Sequence, residues 1–214
     1  MRATPLILLL ASGAFAAERQ LLDEVVAVVD AHTITLSDVT AETRVRLVEL
    51  QGPAAATATL DRRLLAASLR KTIEERIVLS EMQRLKLFDL ELGEVEALLA
   101  RLRTRFASRA DYDAFLRLIE LTDEEVAAIL GRELRVARYL DNRLKLAAQL
   151  RDSELEEAAQ GKTLSPAERE QLRERLSQEK YQRMLRDLLV ELRRRATVRV
   201  LDSLEGAGTV AAEQ

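Results

Sequence analysis

A single short β segment near the far end of the chain constrains the fold more than any other feature. Thr197-Val198-Arg199-Val200-Leu201 alternates with the two-residue period of a strand, whereas the stretch before it follows helical periodicity. A lone strand leaves its backbone N–H and C=O groups unpaired, so it needs a partner. The other β signal lies near the beginning, where Val25-Val26-Ala27-Val28-Val29 and Thr33-Ile34-Thr35-Leu36 flank the polar turn Asp30-Ala31-His32 and suggest a hairpin. A two-stranded hairpin is itself marginal in water. The sequence therefore predicts that Val198 and Val200 pair with this hairpin and close the two chain ends on each other.

Between these ends the chain reads as helix. Ser37 is the expected N-cap, with Asp38 in the first turn, of a helix carrying Val39, Val45, Leu47 and Leu50 and stopped by Gln51-Gly52-Pro53. Residues 54–59 read as a small-residue linker. A long helix from Leu60 to about Leu87 spaces Leu65, Leu69, Ile73 and Ile77 by four, Met82 and Leu85 extending the stripe, and puts Arg62, Arg63, Arg70, Glu74 and Glu81 on the other face. Further helices are expected over 94–106, after Ser108, from the capping box Thr122-Asp123-Glu124-Glu125 to Leu150, and over 153–159. Ser165-Pro166-Ala167-Glu168 combines an N-cap, an N1 proline and a capping-box glutamate, and opens a last helix through Leu172, Leu176, Tyr181, Leu185, Leu188 and Leu192. Arg193, Arg194 and Arg195 suit its negative C-terminal end. The expected fold class is mainly α: a multi-helix core with a small β-sheet formed by the N-terminal hairpin and the C-terminal strand.

Composition fits such a core. Aromatic residues make up 3% of the chain, so Leu, Val, Ile and Ala must fill the interior. The absence of cysteine rules out disulfide staples, the usual zinc sets and a lipidated cysteine anchor. Lys+Arg 33 against Asp+Glu 36 is near balance, with the signs mixed along the chain, which argues against nucleic acid as a partner. At the start, Arg2, the apolar run Leu6-Ile7-Leu8-Leu9-Leu10-Ala11 and the small residues around Ala14-Phe15-Ala16 have the form of a secretory signal peptide, cleaved near Ala17. The boundaries read from the sequence are a signal peptide over 1–17, a helical domain with its hairpin over 18–160, a long helix and strand over 161–202 packing back on it, and a disordered Gly/Ala-rich tail over 203–214. The expected location is the periplasm, with no membrane anchor.

Motifs for chemistry are missing from the sequence. No phosphate loop, Gly-x-Ser-x-Gly elbow or His-Glu-x-x-His is present, and the lone histidine, His32, falls in the predicted hairpin turn. The pairs Glu74-Glu75, Glu124-Glu125 and Glu156-Glu157 read as solvated faces or caps, because adjacent helical residues diverge. No catalytic, cofactor-binding or metal-binding residue is assigned, no cofactor is expected, and the chain is read as a non-enzyme. Met82, Phe88, Phe106, Tyr112, Phe115, Tyr139, Tyr181 and Met184 are the flexible or aromatic side chains that could line a peptide-binding groove between helices. Each also falls on or near an apolar stripe, so a core role competes.

The order of parts resembles a known family. Asp23-Glu24-Val25-Val26-Ala27-Val28-Val29 followed by Ile34-Thr35-Leu36-Ser37-Asp38 resembles the opening of the SurA-type periplasmic chaperones. Ile73-Glu74-Glu75-Arg76-Ile77-Val78-Leu79 and Leu130-Gly131-Arg132-Glu133-Leu134 are similar to the rest of that family's N-terminal domain. Lys180-Tyr181, Glu191-Leu192-Arg193 and Ala196-Thr197-Val198-Arg199-Val200 are similar to its closing helix and strand. Two features depart from the pattern. The hairpin turn holds Asp30-Ala31-His32 where the family usually has Asn followed by Gly, Asp or Glu. The stretch between Leu150 and Pro166 is also far shorter than the roughly 50 residues of even a small domain, leaving no room for the family's parvulin-type prolyl isomerase. The resemblance implies an ATP-independent holdase for unfolded exported polypeptides, outer-membrane β-barrel precursors among them. The competing expectation is a structural protein that docks one envelope partner or forms a homodimer through its helices.

Overall fold

The computed structural model describes residues 23–87, 92–160, 162 and 164–205. The expected signal peptide over 1–17, Phe88 and residues 206–214 of the expected tail lie outside the described residues. Among the described residues the protein is mainly helical with one small three-stranded antiparallel sheet, as its sequence leads one to expect.

The chain begins with strands β1 (Val25–Val29) and β2 (His32–Thr35). Asp30 makes the turn between them in the left-handed region, φ 52°, which a short polar side chain tolerates. His32 is thus the exposed first residue of β2. A one-residue bulge at Val26 shifts the β1–β2 register between Val25↔Thr35 and Ala27↔Ile34, and consecutive Val26 and Ala27 are both buried. Strand β3 (Val198–Val200) pairs antiparallel with the other edge of β1 in the register Val29↔Val198 and Ala27↔Val200, so the sheet order is β2-β1-β3. The lone strand has found its predicted partner, and β1 is central.

Helix α1 (Leu36–Gln51) starts without a loop. Thr35 ends β2 and caps α1 in the same residue: its Oγ1 accepts from Asp38 N at 3.1 Å, and Asp38 Oδ2 accepts from Thr35 N at 3.0 Å. This displaces the cap expected at Ser37, whose N–H donates instead to Asp23 Oδ1 at 3.2 Å. Gly52, φ 89°, ends the helix in a conformation that a side chain would strain. The expected linker is in part a 3-10 turn over Pro53–Thr57 that buries Ala55 and Ala56.

Helix α2 (Arg62–Arg84) is capped by Asp61, whose side chain accepts from Leu64 N. Helices α3 (Leu92–Arg103), α4 (Arg109–Ile119, capped by Ser108) and α5 (Asp123–Leu144, opened by the Thr122–Glu125 capping box) follow. Helix α3 packs on α5 at Gly131, where a Cβ would come into contact with the Val95 side chain at 3.4 Å. Helix α5 stops at Leu144, short of the expected Leu150; beyond it Ala148 is still buried and donates to Leu144 O at 2.8 Å, while Leu146 is 75% exposed. Short α6 (Asp152–Ala159) precedes α7 (Pro166–Arg195), which starts at its three-signal boundary with Ser165 accepting from Glu168 N.

Two apolar cores result. One lies under the sheet, where Val26, Val29 and Ile34 meet Leu69, Ile73 and Ile77 of α2, Val136 and Tyr139 of α5, and Leu188 and Leu192 of α7. Leu204, expected in a disordered tail, is buried in it. The other gathers Val45 and Val48 of α1, Leu99 and Leu102 of α3, Tyr112 and Phe115 of α4, and Val126, Ile129 and Leu130 of α5, together with Phe106.

Candidate functional site

Helices α1 and α5 contribute to both cores and α2 to the core beneath the sheet, and where the three helices meet they bury charge. Glu42 and Arg46 share one face of α1 at i, i+4 spacing. They meet Thr72, Glu75 and Arg76 of α2 and Arg132 and Glu133 of α5. Glu42 Oε1 accepts from Arg76 Nη2 at 2.7 Å and from Arg132 Nη2 at 2.8 Å, while Oε2 accepts from Thr72 Oγ1 at 3.0 Å. Arg46 donates through Nη2 to Glu75 Oε2 at 2.6 Å and through Nε to Glu133 Oε1 at 2.5 Å. Glu42 is 2% exposed and Thr72 fully buried, so this is an interior ionic seam.

Its two central carboxylates differ. Burial pushes the Glu42 carboxyl up, but the guanidiniums of Arg76, Arg132 and Arg46 outweigh it and hold the group below its ordinary value. For Glu75 burial dominates, opposed by Arg46 and reinforced by the nearby negative charge of Glu133, and the carboxyl is raised. Glu42 is therefore the anion around which the seam is organised.

Two clefts open beside the seam. The first, about 260 Å³, lies between the start of α1 and the α4–α5 junction; Ala41, Ile119, Leu121 and Ile129 give it an apolar floor, and Asp38, Glu120 and Glu125 an acidic rim. The second, about 450 Å³, lies between the hairpin turn, α2 and α5; it is lined by His32, Asp38, Arg76, Gln83, Arg132 and Arg135 among others. Asp38 and Arg132 belong to both clefts, so they form a common wall. Arg76 Nη1 and Arg135 Nε are buried with no hydrogen-bond acceptor in the protein. The seam fixes Arg76 and Arg132 through Glu42, and the Asp38 carboxylate is held by Thr35 N, so this wall is preorganised.

The side chains proposed from sequence to line a groove lie elsewhere. Met82 and Tyr139 are buried in the core beneath the sheet, where Tyr181 and Met184 pack half-buried against it. Phe106, Tyr112 and Phe115 form a buried aromatic trio in the second core, with ring centroids 5.2 to 6.4 Å apart. The Tyr112 hydroxyl donates to Asp123 Oδ1 at 2.6 Å, and burial together with that bond pushes its pKa to about 12. None of these seven residues lines either cleft. Apolar periodicity carries Met82, Phe106, Tyr112, Phe115 and Tyr139 inward, while Tyr181 and Met184 stay half-buried.

Two glutamates assigned to solvated faces are also interior. Glu75 joins the seam, and Glu81, 7% exposed, is covered by Arg84 of its own helix and by Arg195 from the end of α7. The sequence did carry a signal for the seam: Glu42 sits between Val39 and Val45 in the apolar register of α1, and Ser68, Thr72 and Glu75 continue a buried row of α2. Polar residues in an apolar register mark a buried network. Among the described residues no helix is long and apolar enough to cross a membrane, and no group of three or more acidic or histidine residues could hold a metal ion. No protein-family model and no curated protein matches this chain.

Proposed function

We propose that the protein is an ATP-independent holdase that binds unfolded exported polypeptides in the periplasm, including outer-membrane β-barrel precursors. The observation that carries this reading is the pair of clefts sharing the Asp38–Arg132 wall. An extended chain segment laid across that wall would place an apolar side chain on the Ala41–Ile129 floor and a polar or charged neighbour in the basic cleft. The resemblance of the chain to SurA-type chaperones agrees with it, both in the order of parts and in the pairing of the terminal strand with the hairpin. The work is binding alone, with no nucleotide, no cofactor and no reaction.

One observation favours the alternative, a dedicated envelope partner or a homodimer. Helix α7 runs 30 residues but buries only Leu188 and Leu192, leaving Leu172 and Leu176 half-exposed and Val190 53% exposed. That stripe suits a matching helix. Light scattering of a urea-diluted outer-membrane barrel protein, with stoichiometric mature protein and no nucleotide, separates the two readings. The holdase reading expects suppressed aggregation of several unrelated clients, and weaker suppression when Ile129→Glu charges the cleft floor. Folded, helical protein that suppresses none of them refutes the holdase and leaves the dedicated interface.

A further inference from the structure

We propose that the cleft between the hairpin turn, α2 and α5 is a carboxylate-binding site, with Arg76, Arg132 and Arg135 as its donors. Applied to the holdase reading, on which this extension rests, it selects chain segments carrying an aspartate, a glutamate or a free C-terminus. Three features of the cleft support it.

First, the donors are incomplete. Arg76 Nη1 and Arg135 Nε are buried without an acceptor, and a turn of either guanidinium toward the cleft would offer that unpaired N–H to an incoming anion. Second, the charge count fits a singly charged group. Arg76, Arg132 and Arg135 bring three positive charges against the two negative ones of Asp38 in the lining and Glu42 behind it. One positive charge is left over, which matches a carboxylate better than a doubly charged phosphate. Third, two of the donors already grip a carboxylate: Arg76 and Arg132 hold Glu42 Oε1 at 2.7 and 2.8 Å, so their planes are set for this chemistry.

Arg135 takes no part in the ion pairs of the seam, so it can be changed without dismantling the seam. The test titrates the full mature chain by calorimetry with acetyl-Gly-Asp-Ala-Asp-Gly-amide, with its Asn counterpart and with inorganic phosphate. The expected result is binding of the Asp peptide about tenfold tighter than the Asn peptide, and a comparable loss for Arg135→Gln, the scale of one charge-assisted hydrogen bond. Equal affinity for the Asp and Asn peptides, or an Arg135→Gln protein that binds like the parent, overturns the site. Phosphate binding as tight as the Asp peptide overturns the choice of carboxylate. Running the aggregation assay on the same samples keeps the two readings apart. Discrimination between the peptides without any suppression keeps the site and removes the holdase; suppression without discrimination does the reverse.

Discussion

The two cores of this molecule are assembled from opposite kinds of contact. The sheet core joins the ends of the chain: Thr197 N donates to the Asp30 carboxylate across 167 residues, and α7 closes over residues of β1 and α2. The aromatic core is mostly local, with Tyr112 bonded to Asp123 only 11 residues away and α3, α4 and α5 consecutive in the chain. Long-range closure costs more chain entropy, so the sheet core depends on every element arriving, whereas the aromatic core draws most of its residues from one stretch and needs only α1 and the turn after it besides. Among the described residues α1 and α5 place side chains in both cores, and where they meet α2 the interior is ionic.

The strongest way to break this contrast is to remove the link. Glu42→Gln leaves Arg76 and Arg132 without the carboxylate they share, and losing one member of a buried ionic network costs about 3–5 kcal/mol. Both cores should lose stability together, read as the urea midpoint at pH 7. Because the folded-state value of Glu42 lies below its unfolded one, its contribution is present above the ordinary carboxylate range and is lost as pH falls through the lowered value. The variant's deficit should therefore shrink in acid. Glu75→Gln should cost far less, since burial already raises that carboxyl and makes its charge expensive. Equal losses for the two variants would show that Glu42 does not organise the seam.

The next test separates the cores. Leu192→Ala and Leu102→Ala each empty a site that is 2% exposed and should each cost about 3 kcal/mol. Hydrogen exchange should place the Leu192→Ala loss on the sheet and α2, and the Leu102→Ala loss on α3 and α4. A uniform loss in both proteins would mean one cooperative unit and would erase the distinction.

A smaller effect belongs to the aromatic core alone. Tyr112 keeps its proton up to about pH 12 when folded and loses it near pH 10 when unfolded. The folded state therefore binds the extra proton between these values, and stability falls as pH rises through them, by at most about 2.7 kcal/mol in all. Tyr112→Phe should flatten that slope, measured by thermal unfolding from pH 9 to pH 12. An unchanged slope would locate the alkaline sensitivity outside this core.

Much of this architecture was legible because it rests on local signals. The Ser165-Pro166-Ala167-Glu168 start of α7 and the Thr122–Glu125 box of α5 are capping chemistry written in four residues each. The closure of the ends was legible for a different reason, since a strand with nothing beside it must pair. Clefts and seam were not legible, because both depend on which faces of α1, α2 and α5 meet. Arg76, Arg132 and Arg135 look like ordinary surface cations in the sequence; packing turns them toward Glu42 and the hairpin turn. Phe106, Tyr112, Phe115 and Tyr139, which seemed suited to binding, are taken up by the interior, as large apolar side chains in a chain with few aromatics would be.

The finest test concerns how the long-range core is fastened. Asp30 ties three elements at the hairpin turn: Ser80 of α2 donates to Oδ2, Thr197 N donates to Oδ1 at 2.8 Å, and Asp30 N donates to Thr197 O at 2.8 Å. Asp30→Ala removes both side-chain bonds and places alanine at φ 52°, which it adopts less readily than aspartate. The expected loss is about 1 kcal/mol, felt as faster hydrogen exchange at Leu201 and Asp202, whose N–H groups both donate to Val26 O. Asp30→Asn keeps an acceptor for Thr197 and tolerates the same backbone, so it should recover most of that protection. If exchange in β3 is the same in Asp30→Ala as in the parent, the strand is held by burial of Leu192 and Leu204 beneath it, and the turn only follows.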